Sequence, residues 1–187
     1  LVGGSVLLPG IFSELLASTD PLAPMPAHFA PRAKRVIVLF MTGGVSHVDS
    51  FDPKPRLFAD DGKDLSAGTK KRLLMRPDWK SAPRGECGLE ISDLFPHIAR
   101  RADDLCVIRS MKTDHANHFE ATLGIHTGSV TLPRPSMGSW VSYGLGTFNQ
   151  NLPSFVVLAP HLPYAGGQVW SSDFLPGYHQ GIRVEPG

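Results

Sequence analysis

The chain reads as an α/β domain, a partial, doubly wound, mostly parallel sheet with helices on both faces. Three observations predict this. Val36-Ile37-Val38-Leu39-Phe40-Met41 is a short, unbroken apolar run rich in β-branched residues, the pattern of a strand buried on both faces. Two further short apolar runs, over 105–108 and 153–158, repeat the pattern. Between the runs lie segments of helical period with capping residues at their starts. Right-handed crossovers would place the three strands in one sheet. Three strands make a narrow sheet, so the domain reads as incomplete.

The elements follow in order. Residues 1–31 read as a truncated export signal and a Pro-rich linker. LVGGSVLLPGIFSELLAS is apolar but too short and Gly-interrupted for a comfortable membrane span. It matches the hydrophobic part and small-residue end of a secretory signal, without the positive start. An amphipathic helix around residues 11–17 is the alternative. The folded domain is expected over 32–187. After the first strand, 60–90 is polar without a clean period and reads as a surface excursion with one short helix near 69–75. Ser92 is expected to cap a helix over 93–102, with Leu94, Ile98 and Ala102 on one face and Pro96 tolerated in the first turn. Asp103-Asp104 then turns the chain into the second strand, 105–108. A third helical segment starts near His118 and stops at Thr127-Gly128, where glycine suits the left-handed position past a helix end. Ser136 caps a helix over 137–145, and 153–158 is the third strand. Residues 159–187 are rich in Gly and Pro and carry no strong pattern.

Composition bounds the partners. The 187 residues, 42% of them hydrophobic, suit one soluble domain with a real core or part of a larger one. Eighteen basic against 17 acidic residues leave a net charge of +1, which gives no electrostatic case for nucleic acid or a membrane surface. Cys87 and Cys106 lie in no metal-binding spacing. They either form one bridge in an exported protein or stay as buried thiols.

Two polar loops follow the first two strands, and in open α/β sheets ligands bind where such loops emerge. The first carries His47, Asp49 and Asp52; the second carries Asp114, His115, Asn117 and His118. Mixed Asp/His sets suit Zn²⁺, Mn²⁺ or Fe, whereas Ca²⁺ and Mg²⁺ want mostly oxygen. The simpler reading is that Asp49 and Asp52 form Asx-turns and His47 stacks on Phe51. Asn117-His118 at a helix start offers free N–H groups and partial positive charge to an anion; Asn117 as a plain cap is equally compatible. His126 reads as a packed or capping histidine, and Lys54, between two prolines, as a residue able to reach an anion. Ser110 lacks a G-x-S-x-G elbow, and Gly43-Gly44 lacks the rest of a phosphate loop.

GGVSHVDSFDPKP after an apolar run, followed by DLCVIRSMKTDHANHFEATLGIHTG, resembles the DUF1501 proteins over roughly 35–187. These are exported bacterial proteins related to the sulfatase and alkaline phosphatase superfamily, most with a twin-arginine signal and more than twice this length. The resemblance implies an alkaline phosphatase-like α/β domain of which this chain is the N-terminal part, and a periplasmic or extracellular location. In that superfamily the end of the first strand supplies metal-binding aspartates, and the helix after the second strand starts at the nucleophile and ends in Thr-Gly. Thr127-Gly128 matches that ending, which places Asn117 and His118 near the nucleophile as catalytic candidates. It also makes His47, Asp49, Asp52 and His115 candidate ligands of a divalent metal ion. The chain has no Cys/Ser-x-Pro-x-Arg, and Thr42-Gly43-Gly44 stands where the strand-end aspartate is expected. The implied function is metal-dependent hydrolysis of a phosphate or sulfate ester, with an anionic small molecule or glycan ester as substrate. The alternative is a non-catalytic binding or cell-surface module on the same fold. Neither nucleic acid nor a stable membrane span in the mature chain is expected.

Overall fold

The structure is a computed structural model that describes residues 22–185, so most of the expected export segment lies outside the described residues. The chain is a mixed helix-and-strand protein with small sheets. It divides into two compact units, Gly43–Lys112 and the paired segments Leu1–Thr42 and Thr113–Gly187.

Gly43–Lys112 holds the short helix α1 (Pro55–Ala59), the strands β1 (Ser81–Arg84) and β2 (Leu89–Ser92), and the single-turn helix α2 (Pro96–Ala99). The strands pair antiparallel, with Ser81 opposite Ser92 and Arg84 opposite Leu89. Their turn depends on Gly85, at φ 64°, where a Cβ would also fall 2.5 Å from Asp103 Oδ1. That carboxylate accepts the turn's N–H groups from Cys87 at 2.8 Å and Glu86 at 3.1 Å. The Cys87 N–H, then that of Glu86, holds the Asp103 carboxyl below its usual range. Ile91, fully buried, packs with Ala99, Ala102, Phe51, Leu89 and Phe95. Phe51 and Phe95 stack at 5.3 Å, and the Ser50 carbonyl accepts the Ser92 N–H at 2.9 Å, fixing the 43–54 loop against β2.

Several expectations fail in this unit. The hairpin occupies part of what read as a surface excursion. No helix forms over 69–75; that stretch folds back on 62–65 through Leu65 N–H to Arg72 O and Leu74 N–H to Lys63 O, with an antiparallel bridge between Asp64 and Leu73. It has no apolar stripe to hold a helix down. The helix foreseen over 93–102 shrinks to α2, because Pro96 keeps Phe95 out of the helical region, at φ −117° and ψ 61°, and sits itself at the first helical position. Ser92 Oγ accepts from Leu94 N–H in a local turn instead. The 105–108 run leaves a 3-10 turn over Ala102–Asp104 and forms no strand, with Ile108 62% exposed.

In the second unit, α3 (His118–Thr127) and α4 (Met137–Leu145) form where the sequence places them. Gly128 ends α3 in the left-handed region at φ 73°, its N–H bonded to Gly124 O at 2.8 Å. Ser136 Oγ accepts the Ser139 N–H at the start of α4. β3 (Val156–Leu158) and β4 (Ile182–Val184) pair in parallel, Val156 opposite Ile182. The crossover between them contains a 3-10 turn over Gly166–Trp170 and another over Gly177–His179. Leu123, Ala165, Val169 and Trp170 form the core, with Phe155, Val157 and Ala159 packed on it.

The α4 helix buries its polar side. Ser136, Ser139 and Ser142 are 3% exposed or less, while Met137, Trp140 and Leu145 stand about half exposed. Three serines one turn apart let the helix approach the 171–179 segment closely. Ser139 Oγ donates to Ser171 O at 3.0 Å, and the same carbonyl accepts the Ser136 N–H at 2.9 Å. Among the described residues, no helix is long and apolar enough to cross a membrane.

The 36–41 run, expected as the central buried strand, is in no regular element. Ile37 and Leu39 are more than 80% exposed, and among the described residues the run's backbone groups have no hydrogen-bond partner. Phe40 alone makes a ring contact, edge-on to His126 at 4.5 Å. A strand exists only where another strand takes its N–H and C=O groups, and none does so here. The expected single parallel sheet is therefore replaced by two two-stranded sheets. Truncating Ile91 to Ala should cost about 2–5 kcal/mol, as a fully buried aliphatic residue. Ile37→Ala should stay within about 0.5 kcal/mol. Urea melts of the two variants check both; equal losses would restore 36–41 to the core.

Candidate functional site

The two polar loops fall in different units. In Gly43–Lys112, the first loop is a series of tight turns. The His47 carbonyl accepts from Asp52 N–H at 3.0 Å and Ser50 N–H at 3.2 Å, and Ser50 Oγ donates to Ser46 O at 2.8 Å. His47 is exposed, and Asp49 and Asp52 are half-buried. Asp52 is already neutralised: its carboxylate takes Lys54 Nζ at 2.7 Å and lies 4.0 Å from Arg109 Nε. The hydrogen bond from Lys54, helped by the charges of Lys54 and Arg109, holds the Asp52 carboxyl below its usual range. Lys54 thus serves a carboxylate within its own loop.

The second loop leads into α3. Asn117 Oδ1 accepts the Phe119 N–H at 2.9 Å, so Asn117 is the cap of this helix. His115 Nδ1 accepts the Asn117 N–H at 3.2 Å and sits 3.7 Å from Glu120 Oε2, an oxygen that is buried without a hydrogen-bond partner. A neutral imidazole has one lone pair, and that of His115 is spent on Asn117. His118, the first helical residue, is exposed; its imidazole makes no hydrogen bond and rests on Tyr164, ring centres 5.0 Å apart. The N–H groups of His118 and Glu120 have no acceptor among the described residues. His126 is a packed histidine, as expected, with Nδ1 2.8 Å from Thr122 O.

The fit to a metal can be tested on these donors. Within each unit, His47, Asp49 and Asp52, or His115 with its neighbours, do not gather into a cation site: no group of three or more His, Cys, Asp or Glu side chains converges among the described residues. Asp52 faces two cations, and His115 would have to give up its hydrogen bond. Within either unit, the residues do not fit a bound divalent ion. Cys87 and Cys106 are both free and exposed, so the expectation of buried thiols fails.

What the arrangement offers is an open helix start carrying Asn117 and His118, with His115, Glu120 and Tyr164 around it. Tyr164 comes from the stretch that showed no pattern in the sequence, and nothing there signals its contact with His118. A concavity of this unit lies at the other end of α3. It is a groove of about 570 Å³ between α3 and α4, lined by Ile125, His126, Met137, Trp140, Val141 and Leu145 among others. None of the residues singled out in the two loops lines it.

Comparison with known proteins gives one match. The family model described as "Protein of unknown function (DUF1501)" matches residues 33–187, most of the chain. No curated protein and no solved structure matches. The chain belongs to the DUF1501 family.

Removing the cap should separate its structural part from any other role of Asn117. Asn117→Ala is expected to cost about 0.5–2 kcal/mol, and Asn117→Ser only a few tenths. Equal losses for Ala and Ser in thermal melts would show that the side chain does more than cap.

Proposed function

We propose that this DUF1501 protein is the N-terminal part of an exported, alkaline phosphatase-like α/β protein that acts on a phosphate or sulfate ester at the start of α3. The carrying observation is the state of that helix start: His118 is exposed and, among the described residues, its imidazole has no hydrogen-bond partner and the N–H groups of His118 and Glu120 have no acceptor. The helix end presents partial positive charge to an ester oxyanion. His118, with a lone pair not committed elsewhere, is the group that takes a proton or attacks, and Tyr164 supports its ring. Asn117 shapes the end by closing the Phe119 N–H. No step runs through a metal, since the nominated donors do not converge.

Two features support a larger parent fold. The runs 36–41 and 105–108 keep strand-forming composition yet stand without strand partners. Unpaired, exposed apolar runs of this kind suit a sheet completed by further strands.

The second reading, a non-catalytic binding or cell-surface module for sulfated or anionic glycans, has its own support. Asn117 is engaged as a cap, and the sequence carries no Cys/Ser-x-Pro-x-Arg.

The full-length protein, assayed on aryl phosphates and aryl sulfates, should hydrolyse one class. His118→Ala should lower kcat by about 10²-fold or more without moving the melting temperature. Unchanged turnover in that variant removes His118 from the reaction. Saturable binding of a sulfated glycan without hydrolysis of any ester selects the binding module.

A further inference from the structure

His179 is buried to 1% exposure at the end of the 3-10 turn that precedes β4. Its Nδ1 lies 2.8 Å from Ser142 Oγ on α4, and Ser142 Oγ is in turn hydrogen-bonded to Ser154 Oγ, just ahead of β3. One short polar chain therefore ties together three segments far apart in sequence: α4, the entry to β3 and the turn before β4. The rings of Tyr143 and Tyr178 close over the imidazole edge-on, at 5.4 and 4.5 Å.

Counting protons shows what this chain tolerates. A hydroxyl has one hydrogen, so the chain runs either from Ser154 through Ser142 to the Nδ1 lone pair, or from Nδ1–H through Ser142 to Ser154. Both directions satisfy Nδ1 and link the two hydroxyls with a neutral imidazole. An imidazolium must donate from both nitrogens and leaves its charge uncompensated. On α4 and on the turn, the titratable groups facing His179 are Tyr143 and Tyr178, neither of them a carboxylate. The segment entering β3, Asn151-Leu152-Pro153-Ser154-Phe155, has none. On β4, Arg183 is directed to the carbonyls of Ala159 and Pro160 and to Glu185. Among the described residues, no carboxylate is paired with His179.

We propose that the His179–Ser142–Ser154 chain is an acid-sensitive pin, and that protonation of His179 releases the turn before β4 from α4 and loosens the β3–β4 pair. Burial also lowers the His179 pKa below its ordinary value of 6.5. The unfolded chain then binds the proton at a higher pH than the folded one. Stability is full above about 6.5 and falls as the pH drops from there through the lowered value. The pin stands apart from the α3 site, so failure of one reading leaves the other in place.

Thermal melts of the chain between pH 7.5 and 5.5, beside those of His179→Gln, test this. Gln keeps a partner for Ser142 and cannot take up a proton. The wild-type melting temperature should fall by several degrees across the interval while that of the variant stays level. Parallel curves overturn the proposal. Should the variant not fold, proton NMR of the wild-type histidines decides: a ring that titrates below 6.5, together with loss of exchange protection at Ile182 N–H, which bonds Phe155 O at 3.0 Å, supports the pin. Titration of His179 at or above 6.5, or protection unchanged through the transition, overturns it.

Discussion

The structure depends on which backbone groups find partners. An extended segment gains little by being apolar unless a neighbour accepts its N–H and C=O groups, and every sheet here is only as wide as the partners available. β1 finds β2 because a four-residue turn with glycine at both ends returns the chain directly, and Asp103 secures that turn. β3 finds β4 across a crossover of more than twenty residues because the core residues Ala165, Val169 and Trp170 lie within it and pack under the pair. The 36–41 run has the stronger β-forming composition but no such neighbour, and it stays extended and exposed.

A second constraint is close approach. The core cluster of the larger unit joins Leu123, Ala165, Val169 and Trp170, with Phe155, Val157 and Ala159 packed on it, and the face that α4 turns inward is polar. The serine face of α4 meets backbone carbonyls where a leucine face would meet other side chains. Hydrogen bonds to Ser171 O and to His179 hold that interface, so its strength rests on satisfied polar groups in a dry setting. Large apolar side chains on the outer face of α4 are the consequence. The helix can put its serines or its Trp140 and Leu145 inward, and the carbonyl-rich segment beneath it selects the serines.

What the sequence made legible was local chemistry. Asn117, Gly128 and Ser136 each act within three or four residues of themselves, and each does in the structure what its residue type suggests. So does the packed histidine at 126. What was illegible depended on partners remote in the chain. Hydrophobic runs over 36–41 and 105–108 carry no sign of whether a neighbour exists, and β4 shows nothing before its pairing with β3 is known. The same holds at the candidate site. Asn117 and His118 could be placed at a helix start from the sequence, but Tyr164 beneath His118, and the Lys54 and Arg109 cations that occupy Asp52, are contacts only folding reveals.

These differences explain why α3 carries the functional argument and the 47–52 loop does not. The helix is fixed at both ends by its own capping groups and along its length by Leu123 in the core and by Thr127, whose hydroxyl bonds the Leu123 carbonyl at 2.8 Å. Its first turn carries His118 exposed at the surface. The 47–52 loop is held just as firmly, through Ser50 and Ser92, yet its carboxylate has already been matched by cations from the same unit. The Asp52 charge of the 47–52 loop is met within its own unit, whereas at the start of α3 the His118 imidazole and the N–H groups of His118 and Glu120 have no hydrogen-bond partner among the described residues.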